Sequence, residues 1–129
     1  MILETSFIID FLRNESNAVS KMKDLKDRNI PYAVTAPSVF ELWSGIYSLE
    51  KSEKQKNNLA LFIEGQIILN LDKESAEEAG KIDGVLVKSG REIDTEDCMI
   101  AGIAIKNKLP VLTKDRHFER IEGLKIEKY

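Results

Sequence analysis

Short apolar runs of strand length alternate along the chain with longer stretches in which apolar positions recur every three or four residues. Residues 1–3 form the first run, and from Thr5 onward Phe7, Ile8, Phe11 and Leu12 fall at helical spacing, so a strand passes directly into a helix. Residues 16–28 set Val19, Met22 and Leu25 three apart among lysines, the pattern of an amphipathic helix with one wet face. "IPYAVTA" reads as a second strand. Pro37 then opens a helix running to about residue 49, since a first-turn N–H needs no partner. A polar start, "KSEKQKNN", leads into "LALFIEG", a helix ended by Gly65, and "QIILN" is a third strand. Residues 73–89 read as a helix with Ala76, Ala79, Ile82, Val85 and Leu86 on its buried stripe and Gly84 weakening it. Residues 94–108 form another helix, and "LPVLT" and "LKIEKY" supply a fourth and a fifth strand. Strands separated by helices predict an α/β chain: a three-layer sandwich whose central, mostly parallel sheet of four to five short strands is flanked by helices.

Composition adds boundaries. The 129 residues are 43% apolar and 32% charged, which describes a globular chain and not a disordered one. A chain of this length buries about 68% of its unfolded surface, so one domain over residues 1–129 is expected. No apolar run approaches the ~20 residues that cross a bilayer, and Glu4 and Asp10 interrupt any leader peptide. A cytoplasmic protein with no membrane partner is the expectation. The single Cys98 excludes an intramolecular disulfide and a thiolate cluster, and the single His117 excludes a multi-histidine zinc site. Any metal would be held by oxygen.

Four acids fall where a strand ends or a helix begins: Glu4, Glu41, Asp97 and Asp115. In a parallel sheet that edge gathers residues from distant parts of the chain. Each has a bland explanation. Glu41 stands three after Ser38, a capping-box spacing, Asp97 suits a helix's first turn, and Asp115 suits a turn start. Their neighbours point inward, however. Asp97 shares its face with Ile100, Ala101 and Ala104, and Glu41 shares its face with Ser44, Gly45 and Ser48, small residues that would let another element approach. Carboxylates desolvated together need compensation. With no histidine cluster and no nearby excess of arginine, a divalent cation, magnesium or manganese, is the natural one. Such an ion activates water and neutralises charge on a phosphoryl group, the chemistry of phosphodiester hydrolysis. Thr5, Ser6 and Thr113 add hydroxyls able to hold carboxylates or waters around it, although each could equally cap a helix or turn. The net charge of −3 does not exclude a nucleic-acid partner, because setting four site acids aside leaves the remainder one positive charge ahead.

"ILETSFIIDFL", "APSVFELWSG", "DTEDCMIAGIAIKNKLPVLTKDRHFERI" and "GLKIEKY" together resemble a PIN domain of the VapC toxin type. The likeness is strongest at both ends and weak between about residues 50 and 90. The resemblance implies a PIN-like sandwich and a magnesium- or manganese-dependent endoribonuclease that inhibits growth as the toxin of a toxin–antitoxin pair. It also implies a homodimer and a VapB-type antitoxin that occupies the active-site groove. On it, Glu4, Asp97 and Asp115 surround the metal, Glu41 binds or orients a metal-bound water, and Arg13, Arg91, Lys114 and Arg116 are RNA-contact candidates. His117 anchors the turn after Asp115, and Trp43 belongs to the core or a dimer surface.

One position departs from the family pattern, which has aspartate where this chain has Glu4. Glu4 admits three readings: a tolerated natural variant, a weakened nuclease kept for binding RNA or antitoxin, or a deliberate substitution. Two other magnesium folds rank far behind. A response-regulator receiver needs an acidic pair after its first strand and an aspartate after a central one, where this chain has Thr35 and Asn70. A haloacid-dehalogenase-type phosphatase needs Asp-x-Asp where this chain has "ETS".

Overall fold

The computed structural model describes residues 1–129. Strand β1 (Ile2–Leu3) stops at Glu4 because that residue, still extended, caps helix α1 (Thr5–Leu12): its carboxylate accepts the Ser6 N–H at 3.0 Å. Helix α2 (Ser16–Asp27) buries Ala18, Met22 and Leu25 and leaves its lysine-rich face in water. Asn14 and Asn29 follow these helices with φ of 60° and 53°, a conformation asparagine tolerates better than most residues. β2 (Val34–Thr35) leads straight into α3 (Ala36–Ser48), capped by the Thr35 hydroxyl on the Ser38 N–H, so Ser38 is not the cap its spacing to Glu41 suggested. A capping box at Ser52 and Gln55 opens α4 (Glu53–Glu64), and β3 (Ile68–Leu69) follows. α5 (Lys73–Lys88) and α6 (Thr95–Lys106) pack on each other before β4 (Val111–Leu112), a 3-10 helix (Arg116–Arg120) and β5 (Ile126–Glu127).

All strand pairs are parallel: β1 with β4, β4 with β5, and β2 with β3. A parallel bridge between Ile2 and Ala33 joins the two ladders, with Leu3 N–H donating to the Ala33 carbonyl at 2.9 Å and Ala33 N–H to that of Met1 at 3.0 Å. The five strands therefore lie in the order β3-β2-β1-β4-β5. The chain winds outward from β1 through β2 to β3 and then crosses to the other side of β1, which makes the β1/β4 boundary a topological switch point.

Alternation along each short strand divides the core. Leu3 and Leu112 face the layer of α1 to α4, packing with Phe7, Ile8 and Leu25, whereas Ile2 and Val111 face α5 and α6, packing with Ile100, Ile103 and Phe118. Two corrections to the sequence expectation concern helix faces. The buried stripe of α5 runs through Ser75, Ala79 and Leu86, with Ile82 half-buried, and leaves Ala76 and Val85 exposed. Ser75 takes a core-facing position because its hydroxyl closes a capping box with Asp72 and its carbonyl lies against Gly102 of α6, where an added Cβ would sit 2.5 Å away. At Gly45, by contrast, nothing lies within 4 Å of an added Cβ. The small face of α3 is not met by another element.

Candidate metal centre

Glu4, at the end of β1, is buried to 3% exposure. Its Oε2 accepts the Ser6 N–H, the Ser6 hydroxyl, and the Thr113 hydroxyl at 2.9 Å. Thr113 Oγ1 in turn accepts the Asp115 N–H at 3.0 Å, so one hydroxyl at the exit of β4 couples two of the four acids. Glu41 comes from α3, where its Oε1 lies 2.7 Å from Thr5 Oγ1. Thr5 Oγ1 is also 3.0 Å from Ser38 Oγ, which is 3.2 Å from Thr35 Oγ1. A hydroxyl carries one proton, so Thr5 donates to Glu41 and accepts from Ser38, which accepts from Thr35. A directed relay therefore ends on the Glu41 carboxylate.

Asp97 lies in the first turn of α6, buried to 5% exposure, and accepts no hydrogen bond. Asp115 caps the 3-10 helix by accepting the His117 N–H at 2.9 Å, and the His117 Nδ1 stands 3.3 Å from the same carboxylate oxygen. One ligand atom each from Asp97, Asp115 and His117 lie within 4.8 Å of one another. Glu4 and Glu41 do not belong to that trio, but their charge reaches it. Burial first, and then the charges of Glu4, Glu41, Asp115 and Asp94, push the Asp97 carboxyl up to about 7. Glu4 is raised mainly by burial against the opposing hydrogen bonds of Ser6 and Thr113, and Glu41 is raised mainly by burial against that of Thr5.

No lysine or arginine pairs with any of the four acids; Asp115 has only His117. A carboxylate that no cation or donor of the protein engages, its oxygens still open to solvent, beside one further acid and an imidazole, is a donor set that fits a divalent ion. Asp97, Asp115 and His117 bring their ligand atoms close enough together that they could hold one, with Glu4 and Glu41 outside that group. His117 brings a nitrogen to a site expected to offer only oxygen, while its backbone also anchors the turn.

Residues 1–124 match the family described as PIN domain. The chain belongs to the PIN domain family. This PIN domain is 32% identical to the tRNA(fMet)-specific endonuclease VapC of Shigella flexneri, over 98% of this chain and 95% of the relative. Among solved structures, the DNA-bound VapBC of Salmonella typhimurium superimposes with a TM-score of 0.81 at 30% identity, covering 98% of this chain and 96% of the other. VapBC2 of Rickettsia felis, bound to a promoter DNA fragment, gives a TM-score of 0.88 at 22% identity, covering 99% and 97%. The VapC-type likeness read from the motifs therefore extends over 98% of this PIN domain chain.

The basic candidates are dispersed across this PIN domain. Arg13 lines a groove of about 150 Å³ between α1, α3 and α4, which begins at Glu41 and runs past Gly45 to Leu49. Lys114 is paired with Asp10 at 2.5 Å, and Arg116 is exposed at the start of the 3-10 helix. Arg91 lines a separate concavity with Lys81 and Arg120, which none of the four acids reaches. Trp43 is half-buried against the core, stacked on Tyr47. Sequence reasoning missed Ser38 as a link in the relay and Asp10 as the partner of Lys114. The Thr35-x-x-Ser38 spacing was the only local trace of the first, and nothing local marked the second.

Proposed function

We propose that this PIN domain is a magnesium- or manganese-dependent endoribonuclease, the toxin of a toxin–antitoxin pair acting in the cytoplasm. The observation that carries the proposal is Asp97: a carboxylate with no donor or cation from the protein, whose burial first and neighbouring acids second raise its pKa to about 7. Asp97 and Asp115 would hold the ion with His117 beside them, and a divalent ion there supplies an activated water and neutralises charge on the phosphoryl group. Glu41, fixed at the end of its hydroxyl relay, orients the attacking water. Arg13 and Arg116 receive the RNA backbone. Transfer RNA is the first substrate to test, because the Shigella relative is named for one. The groove from Glu41 to Leu49 takes a segment of a VapB-type antitoxin, in keeping with the similarity to VapBC complexes, and the active form is a homodimer.

One observation favours a second reading, a weakened nuclease kept for binding. Glu4 Oε2 is already engaged by three donors, and the carboxylate stands outside the tight trio. Cleavage of transfer RNA by the wild-type chain, Glu4→Asp and Asp97→Ala, each titrated with Mn2+, decides between them. Metal-dependent cleavage by the wild type that Asp97→Ala abolishes supports the nuclease. Cleavage gained only in Glu4→Asp supports the weakened module, and cleavage that Asp97→Ala leaves unchanged refutes both.

A further inference from the structure

Beside the acids lies a second charged network that holds no member of the trio. Asp10 stands on α1 one turn beyond Ser6, with its side chain 12% exposed. Its Oδ2 accepts the Tyr129 hydroxyl at 2.7 Å and pairs with the Lys114 ammonium at 2.5 Å. Tyr129 is not a loose contact. Its ring meets the fully buried Phe7 edge-on with centroids 4.8 Å apart, and β5, two residues before it, is held in register by the Thr113 N–H on the Glu127 carbonyl at 3.0 Å. The tyrosine hydroxyl is kept protonated by burial and by Asp10, so it remains a donor. Residues 125–129 lie beyond the stretch matched to the PIN domain family.

The position of Lys114 gives this network its consequence. Lys114 separates Thr113, which donates to Glu4, from Asp115, which enters the trio. The segment leaving β4 is therefore tied to α1 twice in succession, by Thr113 at the cap residue Glu4 and by Lys114 at Asp10 in the last turn. Asp115 itself is held by its N–H on Thr113 Oγ1 and by the His117 N–H on its carboxylate, and the Lys114–Asp10 pair adds a tie on the residue between Thr113 and Asp115. The Tyr129 hydroxyl and the Lys114 ammonium meet at one carboxylate oxygen of Asp10, so Tyr129 fixes the oxygen with which Lys114 pairs.

We propose that Asp10, locked by Tyr129 and pulling on Lys114, is a positioning residue that sets Asp115 opposite Asp97 for the divalent ion. The inference rests on the metal-centre reading above. Its test is direct Mn2+ binding by calorimetry on the full chain, with no RNA present. Tyr129→Phe and Lys114→Met are each expected to weaken Mn2+ binding about tenfold, the lower edge of what losing an outer-shell partner costs. The double variant is expected to be no weaker than the worse single one, because both act through Asp10. Lys114→Arg, which can still reach Asp10, is expected to restore binding, an outcome that a general loss of stability would not produce. Variants that bind Mn2+ as the wild type does, or losses that add in the double variant, overturn the positioning role alone. A wild-type chain that takes up no Mn2+ overturns the metal centre and this inference together.

Discussion

Replacing Asp97 with asparagine separates what the site costs from what it does. The side chain keeps its shape and loses its charge. In the folded protein the Asp97 carboxyl titrates at about 7 and in the unfolded chain near its ordinary 3.8, so between those values the folded state holds a proton that the unfolded state has released. Stability from this group is present below about pH 4 and is lost as pH rises through 7. The full interval corresponds to roughly 4 kcal/mol, a ceiling that water entering the site reduces to about 2 kcal/mol. Asp97→Asn is therefore expected to match the wild type at pH 4 in EDTA and to exceed its thermal midpoint by roughly 8 °C at pH 8. Adding Mn2+ reverses the order. At about 100 times its dissociation constant the ion stabilises the wild type by about 2.7 kcal/mol, whereas the variant, with one ligand neutralised, gains far less. Differential scanning fluorimetry across pH, with and without Mn2+, reads both effects. Midpoints of variant and wild type that run parallel from pH 4 to pH 8 in EDTA would show that burial and repulsion do not act on Asp97 as argued.

Proton competition gives a companion result: below about pH 7, Mn2+ affinity should fall by up to tenfold per pH unit as Asp97 takes up its proton, and a pH-independent titration would contradict this. Thr113→Val removes the donor to Glu4 and the acceptor for the Asp115 N–H, at an expected cost of about 1–3 kcal/mol in urea unfolding; a loss below about 0.5 kcal/mol would show that the coupling is idle. Thr5→Val cuts the relay at its last step, so RNA cleavage should fall roughly 10- to 100-fold while the thermal midpoint shifts by a few degrees, and unchanged cleavage would remove Glu41 from the mechanism. Gly102→Ala drives a methyl to 2.5 Å from the Ser75 carbonyl and 2.7 Å from the Ala79 nitrogen. Overpacking of about 1–3 kcal/mol should outweigh the helix-propensity gain of up to about 1 kcal/mol, and a variant as stable as the wild type would mean the α5–α6 spacing yields readily.

What was legible in the sequence was local. Helices and strands followed from apolar spacing, and the carboxylates at strand ends stood out because a parallel sheet brings such residues to one edge. The α5 stripe slipped because periodicity counts apolar residues, while the core-facing first-turn position belongs to Ser75, a polar side chain satisfied by its own cap and pressed against Gly102. The open groove beside Gly45 depends on where α4 settles, which no spacing within α3 encodes. The wiring of the site lay further out of reach. Thr113 to Glu4, Thr5 to Glu41 and Tyr129 to Asp10 span 109, 36 and 119 residues. Those links exist because β4 lies beside β1 and β5 beyond it, so Thr113 reaches Glu4 and Tyr129 reaches α1. Strands of two residues carry too little pattern to choose their neighbours. Order is set by the helix layers that cover them, so the feature that assembles the acids is the one feature the strand sequences do not specify.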